Sequence, residues 1–382
     1  MNIPNYEDIN LEEHKLLCGF YSLGIIETYF HKLKVINACE WRKHKSGDRY
    51  GGRGYKWLHD EINTNLKLNK IVLVIPEDED VMYPSDPKFT KVLNNHATDD
   101  VYLVTQMPDF GIYIDAGITC KILELPWMMV NDCLCFHSVV NKYKHTASPS
   151  KYNFISFIGR NQEHKMSVFE HLCLYNLDQY GLLTMLGEND LHSLPPSIRN
   201  KVSINEIPPY IDYEKSKNYT HELYNDGIYG FKEGGFSKIC NIWVSANVEN
   251  FLKIKELYHD VPLVVHAETT TGVFPMTEKS VWPILLGKMF LIHGHQGVMY
   301  EIQQFYDIDI SDFANIEFDS FHGWGVDNDN IRLDKMIVDN KSLIENASEK
   351  YKELKPQLDK SSYTFGKNMY NFFIKQLTTL TG

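Results

Sequence analysis

The chain has 382 residues and a formal net charge of −12, with 43% hydrophobic and 13% aromatic residues. That composition excludes a wholly disordered chain, and the length predicts two domains. No run of about 18 apolar residues is present to span a membrane, and the start MNIPNYEDINLEEHK is acidic where a secretion signal is basic and apolar.

Taken in order, residues 1–36 read as mainly helical, with Leu16, Leu17, Phe20, Leu23, Ile26 and Phe30 approximating one apolar stripe. Residues 38–57, ACEWRKHKSGDRYGGRGYKW, read as a glycine-rich loop with interleaved aromatics. Between Lys32 and Lys56 eight basic residues face only Glu40 and Asp48, a local charge of +6 in an acidic chain. Such a segment is either a solvated loop or a surface that grips phosphates. In the second case Trp41, Tyr50, Tyr55 or Trp57 packs on a base or sugar ring. Lys70–Ile75 and Val101–Thr105 are expected to be buried strands, and Ile112–Ile114 and Lys121–Leu125 shorter ones. Glu77, Asp109 and Asp115 follow or separate these strands, at carboxyl ends where open α/β sheets build their sites. The same acids also serve as ordinary caps and loop residues. Cys133 and Cys135 read as core, and seven scattered cysteines without a CxxC pair read as reduced thiols of a cytoplasmic protein. The polar stretch His145–Ser150 marks the domain boundary.

The second half opens with a strand, Asn153–Gly159, and a helix over Glu163–Leu177. Arg160 lies at their junction, where a helix dipole assists a phosphate contact. Leu182–Leu186, Ile239–Ser245 and Pro262–Ala267 read as further strands, with a helix over Val248–Tyr258, and residues 188–236 carry no assignable pattern. From Phe274 to Gly297 the chain reads FPMTEKSVWPILLGKMFLIHGHQG: loop, short apolar helix, buried strand and glycine turn. Thr277 or Ser280 can cap that helix. A start at Ser280 keeps Pro283 in the first turn, where amides are free; a start at Glu278 puts it in the bonded region. Gly287 closes the helix, Met289–Ile292 forms the strand, and Gly294 and Gly297 bracket a turn onto a helix from about Val298. A strand, a glycine turn and a helix start together make a candidate anion site. The chain from Lys335 to its end reads as helical with mixed charges.

The stretch Thr277-Glu278-Lys279, followed by Pro283-Ile284, Gly287, a strand and Gly294, resembles a motif of GT-B glycosyltransferases of the fucosyltransferase-like kind, many of them phage-encoded. Met289 stands where that family usually has proline, and His295-Gln296 lie inside the turn. The resemblance runs from about Phe154 to Ile337. It takes in His266-Ala267-Glu268-Thr269, similar to the family's V-T-E-T strand end, and the acidic stretch Asp327–Arg332. Arg160 is similar to the arginine after the first strand of the family's donor domain. The resemblance implies an α/β protein of two Rossmann-like domains facing a cleft (GT-B). Residues 1–150 would form the acceptor-side domain and 151–345 the nucleotide-sugar domain, with 346–382 as C-terminal helices packing back on the first.

Metal-free glycosyl transfer needs positive charge for the departing nucleotide diphosphate, a carboxylate for the ribose hydroxyls and a base for the acceptor. Arg160, Lys279 and the helix start at Ser280 meet the first need. Glu268 or Glu278 meets the second, and the resemblance favours Glu278. Asp115, Asp109 and Glu77 are the candidate bases. No metal signature accompanies His293-x-His295, and Asp78-x-Asp80 is the only acidic pair after a strand that could rival the motif with a metal. No cofactor is expected beyond the nucleotide-diphosphate sugar as co-substrate. The acceptor is a glycan or, through the basic loop 32–56, a hydroxymethylated base in phage DNA, which requires base flipping. In that case the cytoplasm is the host's. Two other classes compete: a carbohydrate- or nucleotide-binding module without turnover, and a phage structural protein on a degenerate transferase fold.

Overall fold

The computed structural model describes residues 3–14, 17, 20–37, 52–75, 87–97, 100–106, 111–139, 152–158, 162–185, 196–201, 219–220, 236–239, 242–245, 261–268, 278–320 and 326–382. The chain divides into two units. One comprises Met1–Val139, Glu214–Val248 and Met369–Gly382, the other Val140–Tyr213 and Glu249–Asn368.

The first unit is built on four parallel strands, β1 (Leu33–Asn37), β2 (Ile71–Ile75), β3 (Val101–Thr105) and β4 (Lys121–Glu124), which lie side by side in sequence order. Helices α1 (Tyr21–Tyr29), α2 (Gly52–Lys67), α3 (Pro87–Asn94), α4 (Gly111–Asp115) and α5 (Trp127–Val139) alternate with them. Val72–Ile75 are all buried, as an apolar strand covered on both faces requires. Tyr21 at the start of α1 donates its amide to Asn131 Oδ1 at 2.9 Å, and Ser22 Oγ donates to the Trp127 carbonyl at 2.7 Å. The Asn131 side chain thus satisfies a helix start whose own preceding residue, Phe20, supplies no cap, and Ser22 ties α1 to the start of α5. Cys133 and Cys135 are buried and unbridged. Near the C-terminus, Tyr370 Oη donates to the Pro4 carbonyl at 2.9 Å. Two antiparallel pairings make a small three-stranded sheet of β7 (Tyr219–Thr220), β8 (Phe236–Ile239) and β9 (Ile242–Ser245).

Several expectations for this half are corrected. Residues 1–36 are not mainly helical: two 3-10 turns precede α1, and the chain then extends into β1, which the helical stripe concealed. Ile112–Ile114 lies in α4 rather than in a strand. From Gly52 the basic stretch is helix α2 rather than loop, and residues 38–51 lie outside the described residues. Tyr55 on that helix is 7% exposed, so its ring belongs to the core and not to a nucleic-acid surface. Ile239–Ser245 is not one strand: β8 ends at Ile239 and pairs antiparallel with β9 over Ile242–Ser245.

The second unit carries β5 (Phe154–Ile158), β6 (Gly181–Met185), β10 (Leu263–Ala267) and β11 (Met289–His293), all parallel, in the order β11-β10-β5-β6. Its helices are α6 (Glu163–Leu174), α7 (Pro196–Arg199), α8 (Glu278–Leu285), α9 (Val298–Gln303), α10 (Val326–Asp339) and the first part of α11 (Lys341–Thr381). Every residue of β10 and β11 is buried, including His266 and His293, which interrupt otherwise apolar strands. From β5 the chain passes to β6 on one side, then returns to β10 and β11 on the other. The order therefore reverses between β5 and β10, and open α/β sheets bind ligands at the carboxyl ends of strands at such a reversal.

Helix α8 starts at Glu278, not at Ser280, and Pro283 removes one intrahelical bond from its body. Its end follows the expectation. Gly287 has φ +61°, its amide bonds to the Ile284 carbonyl at 3.0 Å, and the Lys288 amide bonds to the Pro283 carbonyl at 2.9 Å. These two bonds form a Schellman stop, which needs a left-handed residue where glycine is least strained. Among the described residues no helix is long and apolar enough to cross a membrane.

Candidate functional site at the carboxyl edge of the second sheet

Glu268 is the first residue beyond β10 and the centre of this edge. Its amide still continues the ladder, donating to the His293 carbonyl at 2.9 Å. Its side chain is only 1% exposed and accepts a short hydrogen bond from the Ser280 hydroxyl. Ser280 is therefore not the cap of α8. It is the third residue of the helix, fully buried, and it fastens that helix to the end of β10. His164, in the first turn of α6, donates Nε2–H to the Glu268 carbonyl at 2.9 Å. Glu268 thus joins the reversal-point strand to the helices on either side of it. A carboxylate this buried forms the wall of a site rather than its open surface.

The turn after β11 is built to let Glu268 in. A Cβ on Gly294 would lie 3.2 Å from Glu268 Cγ and 3.3 Å from Val298 Cγ1, tighter than side chains ordinarily pack. Gly297, with φ +92°, closes the turn and starts α9. With six residues, α9 carries only a small dipole, and the anion site expected at its start gains little from it.

Arg332 of α10, 1% exposed, holds the same turn from behind. One terminal nitrogen donates to the Gly294 carbonyl at 3.2 Å, to the His295 carbonyl at 3.3 Å and to Asp319 Oδ1 at 2.7 Å, and the other reaches Asp329 at 3.2 Å. Asp319 Oδ2 in turn accepts the Met299 amide at 2.7 Å, satisfying an orphan donor at the start of α9. Burial pushes the Asp319 carboxyl up to about 6, and Arg332, the Met299 amide and His295 recover only part of that penalty. The ion pair is a strut that locates the turn.

Four histidines complete the edge. Burial holds His266 down to about 4; Glu268 opposes this while Lys279 and Lys165 reinforce it. His293 is driven well below its ordinary value by burial, with Arg332 adding to the effect. His164 is lowered chiefly by burial as well. These three imidazoles are neutral at pH 7. His295 differs. Burial opposes its charge, but a 2.9 Å bond to Glu301 and the charges of Glu301, Asp319 and Glu268 outweigh burial and raise its pKa.

Of the residues singled out in the sequence, Glu268, Lys279, Ser280 and Gly294 come together here. Lys279 is half-buried and, with Lys165, acts electrostatically on His266. Glu278 is the first residue of α8. Arg160 and Thr277 lie outside the described residues, as do Glu77 and Asp109. Asp115 ends α4 in the first unit and is exposed. In the basic segment, Lys34 pairs with Glu27 at 2.9 Å and Lys32 Nζ bonds to the Thr381 carbonyl, so neither is a spare cation; residues 38–51 lie outside the described residues. The His295–Glu301 and Arg332–Asp319 pairs were missed as site elements. Their sequence signals were His295 inside the glycine turn and Arg332 closing the acidic stretch Asp327–Arg332, neither of which indicated its partner. Among the described residues no group of three or more His, Cys, Asp or Glu is placed to hold a metal ion.

No protein-family model and no curated protein matches this chain.

Proposed function

We propose that the protein is a metal-independent glycosyltransferase that binds a nucleotide-diphosphate sugar at the carboxyl edge of its second sheet and transfers the sugar to a hydroxyl acceptor. The observation that carries this reading is the convergence of Glu268, Lys279, Ser280 and the Gly294 turn at a strand-order reversal. In it, Lys279 and Arg160 neutralise the departing diphosphate, Glu278 takes the ribose hydroxyls, and Glu268 holds α8 at the angle that presents them. The base comes from the first unit, with Asp115, Asp109 and Glu77 as candidates. A GT-B pairing of the two units and a cytoplasmic site of action belong to the same proposal.

The test is release of nucleoside diphosphate from a panel of nucleotide sugars, with glycan acceptors, duplex DNA, and duplex DNA containing hydroxymethylcytosine as separate arms. Release stimulated by one acceptor supports the reading and identifies the acceptor class. A salt series on the DNA arms then reads how many phosphates are neutralised. No release from any donor in any arm overturns it and leaves a binding or structural protein.

A further inference from the structure

Six buried side-chain atoms at the carboxyl edge of the second sheet have no hydrogen-bond partner among the described residues: Gln162 Oε1, Thr184 Oγ1, His266 Nε2, His293 Nδ1, His295 Nδ1 and Arg332 Nε. Folded proteins satisfy nearly all such atoms, so a concentration of orphans at one edge marks a place where a polar ligand completes the set.

His295 is singled out by how firmly it is held. Its Nε2 donates to Glu301 Oε2 at 2.9 Å, which fixes the ring and the proton on that nitrogen. Arg332 grips the carbonyls of Gly294 and His295, fixing the backbone beneath the ring. Nδ1 is then a bare acceptor when the ring is neutral and a charged donor when it is protonated. The charged groups that act on the ring are Glu301 of α9, Asp319 of the 3-10 turn and Glu268 beyond β10, with Arg332 of α10 bonded to its carbonyl. Three carboxylates against one guanidinium favour the imidazolium, despite burial.

We propose that His295 is the proton-dependent anion contact of this site, with its Nδ1–H, oriented by Glu301, donating to the diphosphate of a nucleotide-linked ligand. The inference rests on the nucleotide-sugar reading above and adds a residue and a pH dependence to it. It makes the orphan nitrogen, the carboxylate clamp and the histidine inside the glycine turn parts of one device.

The experiment is calorimetric titration of the full chain with uridine, guanosine and thymidine diphosphate sugars between pH 6 and 8.5. Their diphosphate is esterified at both ends, so it lacks the second phosphate ionisation near pH 6 that would confuse the readout. Affinity for the sugar nucleotide that binds should fall by roughly tenfold or more from pH 6 to 8.5, the size of one charge-assisted contact. His295→Gln should remove this slope and bind at pH 6 as weakly as the wild type does at pH 8.5. Glu301→Gln, which withdraws the clamp's charge, should move the fall to lower pH. A pH-independent affinity in the wild type overturns the proposal and leaves the nucleotide-sugar reading standing. So does a slope that survives in His295→Gln, since it would then belong to Asp319. Absence of binding by every sugar nucleotide at every pH overturns both. The wild-type series needs no variant to fold.

Discussion

At the scale of single residues, the edge of the second sheet is held in place by Arg332 and Ser280. Arg332 makes bonds to two turn carbonyls and two carboxylates while almost wholly buried. Removing one partner of a buried ion pair costs far more than the pair contributes, because the survivor is left desolvated. Arg332→Met should therefore lower the unfolding free energy by about 3 kcal/mol or more, measured by denaturant titration. Asp319→Asn should cost less, since burial already draws that carboxyl towards neutrality. Equal, small losses in both variants would show that the strut is ornamental. Ser280→Ala removes one partner of a buried carboxylate and should cost about 1.5 to 3 kcal/mol on the scale of charged hydrogen bonds. Ser280→Thr, which keeps the hydroxyl but adds a methyl to a fully buried position, should fall between the two.

At the scale of elements, α8 shows how much a short sequence can specify and where it stops. Its glycine stop was legible because only a left-handed residue can make the two closing bonds. Gly287→Ala should destabilise by about 1 to 2 kcal/mol from the backbone alone. The added Cβ would also meet Asp359 Oδ1 at 2.7 Å, so Asp359→Ala should recover part of the loss in the double variant and leave the backbone share. A double variant as stable as Asp359→Ala alone would contradict this division. Of the two candidate caps of α8, Ser280 is excluded because its hydroxyl is drawn away by Glu268, twelve residues earlier in sequence, and Thr277 lies outside the described residues. Local rules cannot see a partner that folding supplies. The same holds for β1, hidden behind a helical stripe and broken by Lys34, whose charge is answered by Glu27 of α1. The apolar strands β2, β3, β5, β10 and β11 were legible, since burial on both faces leaves no other composition open. Of the site, the residues on one contiguous stretch were readable. The pairs closed by tertiary contact, Arg332 with Asp319 and His295 with Glu301, were not.

At the scale of the whole molecule, two four-stranded parallel sheets stand on different footings. Among the described strands the first sheet runs in sequence order and the second contains a reversal, so the candidate site belongs to the second. Histidines set the acid limit of the molecule. His266, His293, His164, His96 and His137 are all held below their ordinary value, each mainly by burial. A group whose folded pKa is depressed contributes stability above its unfolded value and loses it as pH falls through the folded one. Unfolding free energy should therefore drop as pH falls from 6.5 towards 4, the window set by His266, with that residue alone worth on the order of 3 kcal/mol. Asp319, raised to about 6, acts in the opposite sense within this window but is outnumbered, and His295, raised above its ordinary value, acts above pH 6.5. A stability curve flat from pH 6.5 to 4 would contradict the buried neutral histidines.

The claim that the carboxyl edge of the second sheet holds a nucleotide diphosphate is tested most directly by thermal unfolding with saturating nucleoside diphosphates, on the wild type and on Lys279→Ala. A ligand at one hundred times its Kd adds about 2.7 kcal/mol to the folded state. At least one nucleoside diphosphate should raise the wild-type Tm by a few degrees, and Lys279→Ala should require roughly tenfold more of it for the same shift. An unmoved Tm with every nucleoside diphosphate, or an identical dose response in Lys279→Ala, would contradict the account.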